Sequence, residues 1–449
     1  MKRILIVAEY FAPNNHIASI RTTKLAKYFK LNEGYHVSVV SRKLRTNEYV
    51  DPILQSDLKY IDKHIVIEES WLIRKIFWVY NKLRTSKDRT EAKNETIIKS
   101  KKNNVYSVLF STLKKIFSNT DIFTFFATKA YSKRAKKQIQ KMCNQYDVII
   151  TSSGTFSANV LGRLAKRANS NILWIADFRD PLINEFPKKK HRTYYNKICK
   201  EIIKNADVIT GVSDACVEIF KKDFKREILT VCNGFDDDDI KSIDIVSNEK
   251  FTLTYPGRLY TGKRDLSIFF KAISELINET RINGNKIVIN YLGDESPLFL
   301  EQTGKYELHD VCKTYGKVDR VKSLQLQLSS HILLLASWNN LGDTGVITGK
   351  FLEYMMINKP IICSVMGNLP DSLLKRMIAS ANNGIVWEQA NDEFDYPLIK
   401  DYILKQYKQY EAGLPLYFAP NTDYIKQFRY ENIASKFIKI IETHEKIRN

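Results

Sequence analysis

Runs of aliphatic and β-branched residues alternate with helical runs along almost the whole chain, and the alternation begins a second time after residue 250. Strands separated by helices point to parallel sheets, because neighbouring parallel strands need a crossover that is usually an α-helix. In the first half the expected strands are 4–8, 36–41, 147–151, 172–176, 208–212 and 228–231, with helices such as 18–31 and 156–168 between them. A turn-rich acidic stretch, Asn233-Gly234-Phe235-Asp236-Asp237-Asp238-Asp239, interrupts the pattern, which restarts at Phe251-Thr252-Leu253-Thr254-Tyr255. Later strands are expected at 287–292, 332–336, 360–364 and 384–386. A chain of 449 residues is too long for one ordinary core and suits two domains of about 200 residues each. The expected division is 1–235 and 249–428, with the linker near 234–248. The final segment, 429–449, is amphipathic: Ile433, Phe437, Ile440 and Ile441 form a stripe that needs a partner surface.

Six cysteines are scattered through apolar stretches without CxxC spacing, so reduced core thiols in a cytoplasmic protein are the expectation. Seven histidines form neither HxxxH nor HExxH, so the sequence offers no case for a metal. Met1-Lys2-Arg3 runs straight into a strand, too abruptly for a signal peptide, and no apolar run approaches the ~20 residues of a membrane span. The net charge of +20 is unevenly placed. Between Trp71 and Met142 there are eighteen Lys/Arg against four Asp/Glu, a local excess of 14 that points to a polyanionic partner on one face. This insertion breaks the strand–helix alternation and reads as mainly helical. Its cations interleave with Trp71, Phe77, Trp78, Phe110 and Phe117, a mixture that suits either a membrane interface or ordinary packing beneath a solvated face.

Three segments carry candidate chemistry. In Thr348-Gly349-Lys350-Phe351-Leu352-Glu353-Tyr354-Met355, a loop leads into a helix, and Pro360 then opens a strand. A helix start offers unpaired N–H groups to a phosphate, and Lys350 adds a full charge. Glu353 is an acid among apolar neighbours and needs a partner, such as the paired hydroxyls of a ribose; an acid favoured by the helix dipole is the plainer alternative. In Tyr255-Pro256-Gly257-Arg258-Leu259-Tyr260-Thr261-Gly262-Lys263-Arg264-Asp265, Arg258 and Lys263 flank a turn where both can converge on one anion. In Trp174-Ile175-Ala176-Asp177-Phe178-Arg179-Asp180-Pro181, Asp177 or Asp180 can orient or deprotonate a hydroxyl, with Arg179 as a tether. The same acids can equally cap the next helix and pair with Arg179. Weaker candidates are Ser153 and Gly154 in the loop after residue 151, and Asn15, His16 and Arg21 after the first strand.

These motifs resemble the donor-site signature of retaining glycosyltransferases of family 4, the bacterial surface-polysaccharide type. The GKxxEYxxxxKPI form is matched at 349–361, the GRLxxxKR form at 257–264, an FRDP sequence at 178–181 and an NGxD turn at 233–236. The resemblance covers roughly 1–45 and 145–440 and is absent from the insertion. It implies an α/β chain of GT-B fold: two Rossmann-like domains with parallel sheets facing across a cleft, and a C-terminal helix crossing back to the first domain. The first domain would take the acceptor and the second the nucleotide-sugar. Glu353 would bind the ribose, Thr348, Gly349 and Lys350 would cradle the diphosphate with Arg258 and Lys263, and Gly316 would lie near the base. Asn15, His16, Arg21, Ser153, Gly154, Arg179, Asp177 and Asp180 would face the acceptor. The commoner family form has a glutamate at the position of Gly345, so Thr344 or Thr348 would substitute here, and Asn14 and Asn15 replace the family's glycines.

The implied activity is metal-independent sugar transfer with retention, by front-side attack, onto a glycan or polyprenyl-linked precursor of a surface polysaccharide. No cofactor is expected beyond the donor, with a UDP-sugar favoured over a GDP-sugar. The expected location is cytoplasmic, extending to peripheral attachment at the inner face of the plasma membrane through 71–142. Two rival readings are a nucleotide-sugar epimerase of the same fold and a basic nucleic-acid-binding protein. The second is disfavoured because the charge pairs sit at sheet loops suited to small phosphates.

Overall fold

In the computed structural model the described residues are 1–32, 34–45, 48–69, 71, 74, 120–153, 156–179, 189–224, 226–260, 263–342 and 344–448. Most of the 71–142 insertion, Asp180, Gly154 and the FRDP proline therefore lie outside the described residues. The chain divides into two compact units: one of 1–212, 216–231 and 437–449, the other of 213–215 and 232–436.

The first unit holds a seven-stranded sheet in the order β3-β2-β1-β4-β5-β6-β7. Its strands are β1 (Lys2–Ala8), β2 (Tyr35–Arg42), β3 (Lys63–Ile67), β4 (Val148–Ser153), β5 (Leu173–Phe178), β6 (Val208–Gly211) and β7 (Leu229–Thr230), and every pairing is parallel. Residues 4–8 and 173–178 are buried throughout, as expected of strands covered on both faces. Helix α1 (Ile17–Leu31) follows β1, and α2 (Pro52–Ser56) lies between β2 and β3. Helices α3 (Thr120–Met142) and α4 (Ser157–Ala168) flank β4; α5 (Lys189–Asn205) and α6 (Asp214–Asp223) flank β6. Tyr131, Ala135, Ile139 and Met142 turn one face of α3 into the core with Leu161 and Ala165 of α4. Aliphatic runs such as Ile4–Ala8 mark the central strands, whereas β3, a short edge strand with no fully buried residue, is not among the expected ones.

The second unit repeats the plan with six parallel strands in the order β10-β9-β8-β11-β12-β13. They are β8 (Phe251–Pro256), β9 (Ile287–Leu292), β10 (Cys312–Thr314), β11 (Ile332–Trp338), β12 (Ile361–Met366) and β13 (Gly384–Glu388). The intervening helices are α7 (Ser267–Asn278), α8 (Ser296–Gly304), α9 (Arg320–Leu328), α10 (Gly349–Ile357), α11 (Leu373–Ala381) and α12 (Asp392–Glu411). A short α13 (Thr422–Lys426) precedes the last helix, α14 (Tyr430–Arg448), whose residues from Phe437 onward belong to the first unit. There Phe437 meets Phe29 edge-on at 6.2 Å between ring centroids, so the amphipathic stripe of the C-terminal segment finds its partner. Two parallel α/β sheets with the C-terminal helix shared in this way form the expected GT-B architecture.

A buried ion pair ties the first unit together. Arg21 of α1 is 1% exposed and Asp177 of β5 is 0% exposed. Arg21 Nε and Nη2 donate to the two Asp177 oxygens at 2.9 and 2.8 Å, and Nη2 also donates to the Val231 carbonyl at 2.9 Å. Ser152 of β4 and Thr210 of β6 donate to the same carboxylate at 2.9 and 2.8 Å, and the guanidinium lies 5.6 Å from the Phe437 ring centroid. Burial opposes ionisation of Asp177, but Arg21 and these hydroxyls outweigh it and hold the carboxyl below its ordinary value. Removing one partner leaves the other as an uncompensated buried charge. Asp177→Ala should therefore destabilise the first unit by about 3–5 kcal/mol, whereas Arg21→Met with Asp177→Leu should recover most of that loss. Hydrogen exchange of β4–β6 amides reads this directly, and an Asp177→Ala protein with wild-type protection would refute it. The depressed pKa means that the stabilisation is present above the unfolded carboxyl value, about 3.9, and is lost as pH falls through the lower folded value.

Candidate functional site

Open parallel sheets bind ligands beyond the C-terminal ends of their strands, where the strand order reverses. In the second unit that point lies between β8 and β11, and the motif residues collect there. β8 ends at Pro256 and turns through Gly257, whose φ of 119° is a conformation that only glycine adopts without strain. A Cβ at Gly257 would collide with Cε and Nζ of Lys350, so the missing side chain also makes room for the lysine. Thr348 caps α10, its hydroxyl accepting from Phe351 N–H at 3.3 Å, and thereby leaves Gly349 and Lys350 in the first turn, whose amides have no intrahelical acceptor. Gly345 sits at φ 72°, which accounts for glycine where the commoner motif has an acid.

Lys350 keeps part of its surface exposed, but its ammonium is packed deep, 5.7 Å from the Tyr255 ring centroid. Burial and the nearby Arg264 cation push it down to about 8, with Glu353 pulling the other way. Among the described residues no ion pair holds it. Arg264 is 7% exposed, its guanidinium 4.5 Å from the Tyr260 ring centroid and 5.5 Å from that of Trp338. Two neighbouring cations withdrawn from water leave positive charge at this edge of the sheet that an anion would balance.

The structure redistributes the expected roles. Arg258 is more than half exposed and turns to Asp294, with Nε 3.1 Å from both carboxylate oxygens and Nη2 2.6 Å from Oδ2. Lys263 is exposed, its Nζ 5.5 Å from the Trp338 ring centroid. The two therefore do not converge on one point here; Arg264, which directly follows Lys263, is the buried cation beside Lys350. What distinguishes it is only its place next to the start of α7, with aromatics at 255, 260 and 338 around it. Glu353 lies in the second turn of α10, so the dipole reading does not apply. It is half-buried and accepts from Gln327 Nε2 of α9 at 2.9 Å. Gly316 lies in the loop after β10, where Tyr315 N–H donates to the Tyr291 carbonyl at 2.9 Å.

In the first unit, Asp177 and Arg21 are corrected from acceptor-facing groups to the buried pair described above; neither reaches a surface, and Asp177 neither serves as a base nor caps a helix. Asn15 is exposed, and its N–H donates to the Tyr49 carbonyl at 2.9 Å. His16 caps α1, its Nδ1 accepting from Ala18 N–H at 3.1 Å, and stacks on Tyr10 at 4.2 Å. That bond leaves the proton on Nε2 in the neutral ring, and burial together with the Arg179 cation lowers the imidazole pKa. His16 is thus placed to donate through Nε2 rather than to act as a base. Arg179 directly follows β5 and Ser153 closes β4.

No protein-family profile matches the sequence, and no curated protein sequence is significantly similar to it. Solved structures are similar over the full length. Sucrose-phosphate synthase from Thermosynechococcus elongatus superposes with a TM-score of 0.56 at 14% identity, covering 100% of both chains. A point mutant of S. aureus TarM, in complex with fondaparinux, α-GlcNAc-glycerol and UDP, gives 0.55 at 11% identity over 98% of this chain and 100% of that one. UDP-GlcNAc 2-epimerase from Neisseria meningitidis, bound to UDP-GlcNAc, gives 0.50 at 9% identity over 99% and 100%. These likenesses establish the GT-B fold that glycosyltransferases and epimerases share.

The buried lysine makes anion binding testable through protons. With its pKa near 8 in the free protein, Lys350 is partly neutral above that pH, and a bound diphosphate raises the value again. Binding of UDP should take up protons at pH 8.5 and almost none at pH 6.5, measured calorimetrically in buffers of different ionisation enthalpy. Because the folded pKa is depressed, stability should rise as pH climbs from about 8 towards the unfolded value of about 10.4. Lys350→Met should raise unfolding stability at pH 7 by about 1 kcal/mol and abolish the proton uptake. Equal proton exchange at both pH values would remove Lys350 from the site.

Proposed function

We propose that this chain is a retaining, metal-independent glycosyltransferase that moves a sugar from a nucleotide-sugar, a UDP-sugar by preference, to a glycan or polyprenyl-linked precursor of a cell-surface polysaccharide. The observation that carries this reading is the desolvated Lys350–Arg264 pair at the β8/β11 switch point, beside a helix start. A diphosphate answers both cations, and the charge that develops on it as the glycosidic bond breaks is stabilised without a metal. Glu353, held by Gln327 one turn further along α10, is within the same helix to receive the ribose hydroxyls. Arg258 and Lys263 are exposed and long enough to join the diphosphate once it is bound. Asp180, outside the described residues, and the His16 Nε2–H are the acceptor-side groups of the proposal. Burial of Asp177 removes one candidate carboxylate nucleophile, which favours front-side attack.

Incubation with radiolabelled UDP-sugars, with and without polyprenyl-linked acceptor and with excess chelator, tests the activity. Transfer that needs acceptor and survives chelation is expected. Conversion of the sugar without acceptor would instead support the epimerase reading, which the full-length likeness to the Neisseria meningitidis enzyme keeps open. Glu353→Gln should raise the donor KM about tenfold while leaving kcat largely intact, since a hydrogen bond to a charged group contributes about 1.5–3 kcal/mol.

The partner surface belongs to the same proposal. Helix α3 carries Lys133, Lys136, Lys137 and Lys141 exposed, and Trp71 nearby in the chain after β3 is 65% exposed. No described helix is long and apolar enough to cross a membrane. Attachment would be peripheral, to anionic lipid at the cytoplasmic face, each engaged cation contributing about 1 kcal/mol. Co-sedimentation with acidic vesicles should exceed that with neutral ones and weaken as salt rises. Equal partitioning, or tight binding to DNA at physiological salt instead, would overturn it.

A further inference from the structure

Strand order separates the two ends of a nucleotide-sugar laid along this edge. Gly316 follows β10, on the side of Gly257 away from β11, so the base lies towards that side; Glu353 reaches α9, the helix packed on β8, for the ribose between them, while β11 ends on the other side with Trp338. We propose that Trp338, with Tyr260 beside it, forms the subsite for the donor's sugar ring and sets which sugar is accepted. The inference rests on the donor reading above and goes beyond it, since Trp338 lies outside the donor motifs and Tyr260 fills one of their variable positions.

Trp338 is half-buried at the last position of β11, and Tyr260 stands edge-on to it at 6.3 Å between ring centroids with 48% of its surface exposed. A pyranose has an apolar C–H face that packs on an aromatic plane while its hydroxyls stay at the rim, a combination that suits a tryptophan set among polar groups. The Lys263 ammonium over the indole shows that this ring meets polar atoms, and a diphosphate would draw that exposed side chain away from it. Arg264 contacts both aromatic rings and lies beside Lys350, so a sugar bonded to the diphosphate would reach the pair directly.

Tyr260 is not there by local preference. Its φ is 53°, a left-handed conformation that is an outlier for a bulky side chain. Glu295 maintains it, Oε2 accepting from Leu259 N–H at 2.6 Å and Tyr260 N–H at 3.1 Å. Strain of this kind persists where surrounding contacts enforce it, and such positions cluster at ligand sites.

The test measures affinities of the full chain for UDP, UDP-glucose and UDP-galactose by calorimetry. Trp338→Ala should weaken both nucleotide-sugars by about three- to tenfold, change UDP less than twofold, and bring the glucose-to-galactose ratio towards one. Trp338→Phe should restore most of the loss, and Tyr260→Ala should reproduce part of it. Equal loss for UDP and its sugars, or no loss for the sugars, would overturn the subsite while leaving the donor reading standing. A wild-type chain that binds none of the three ligands would bring both down.

Discussion

A parallel sheet sends the C-terminal end of every strand to the same edge, because each crossover must return the chain to the opposite edge before the next strand begins. Both units obey this constraint, with the same order of the central strands and a reversal after the third strand of each sheet, which sets the fourth beside the first. The reversal sends the crossovers on either side of it to opposite faces, which opens a crevice at the strand ends between them. Gly257 and Trp338 lie at that point in the second unit; the Glu9–His16 loop and Ser153 lie at it in the first. The chemistry is thus confined by topology before any side chain is considered.

The two units use buried cations differently, and the contrast separates scaffold from site. Arg21 is fully neutralised by Asp177, which in turn is satisfied by Ser152 and Thr210, so its charge is consumed in joining α1 to three strands. Lys350 and Arg264 have a half-buried carboxylate at the next turn and aromatic faces for neighbours, and the lysine carries the consequence as a depressed pKa. A closed network stabilises a fold. An unbalanced one is costly until a ligand completes it, and a diphosphate, with charge spread over several oxygens, is a fitting complement.

Much of this was legible in the sequence, for reasons that also explain the omissions. Central strands are buried on both faces and read as unbroken aliphatic runs, such as Ile4–Ala8 or Ile332–Ala336. β3 and β10 are short edge strands: the apolar run Ile65-Val66-Ile67 is too short to mark a strand by itself, and Cys312-Lys313-Thr314 has no apolar run at all. Thr348, Lys350 and Glu353 stand out because they fall in a segment that resembles the GKxxEYxxxxKPI motif, at a loop-to-helix boundary that the structure places at Gly349. Which of Arg258, Lys263 and Arg264 is buried was not identifiable, since that depends on how the 257–266 turn packs over β8 and β11. Asp177 misled for the opposite reason. An acid at a strand's C-terminal end resembles a ligand group, and only the fold brings Arg21, 156 residues earlier, against it.

Left-handed non-glycine residues also occur at Thr280, Glu307, Asn358, Asp371 and Asn382, but the turn after β8 combines one with buried cations. A tyrosine in a left-handed conformation, a glycine at φ 119°, a lysine ammonium drawn out of water and a guanidinium set against two rings all fall within the turn after β8 and the segments facing it. Each is unfavourable or neutral for folding alone. Glu295 fixes the turn through two backbone amides, Tyr255 donates to the Arg258 carbonyl at 2.9 Å, and Thr348 sets the start of α10, so the surrounding contacts exist to hold that arrangement. A protein that selects only for stability would relax these features one at a time by ordinary substitutions. Their combination at the β8/β11 switch point, set against the satisfied ion pair at the core of the first unit, is what the proposed donor site would account for.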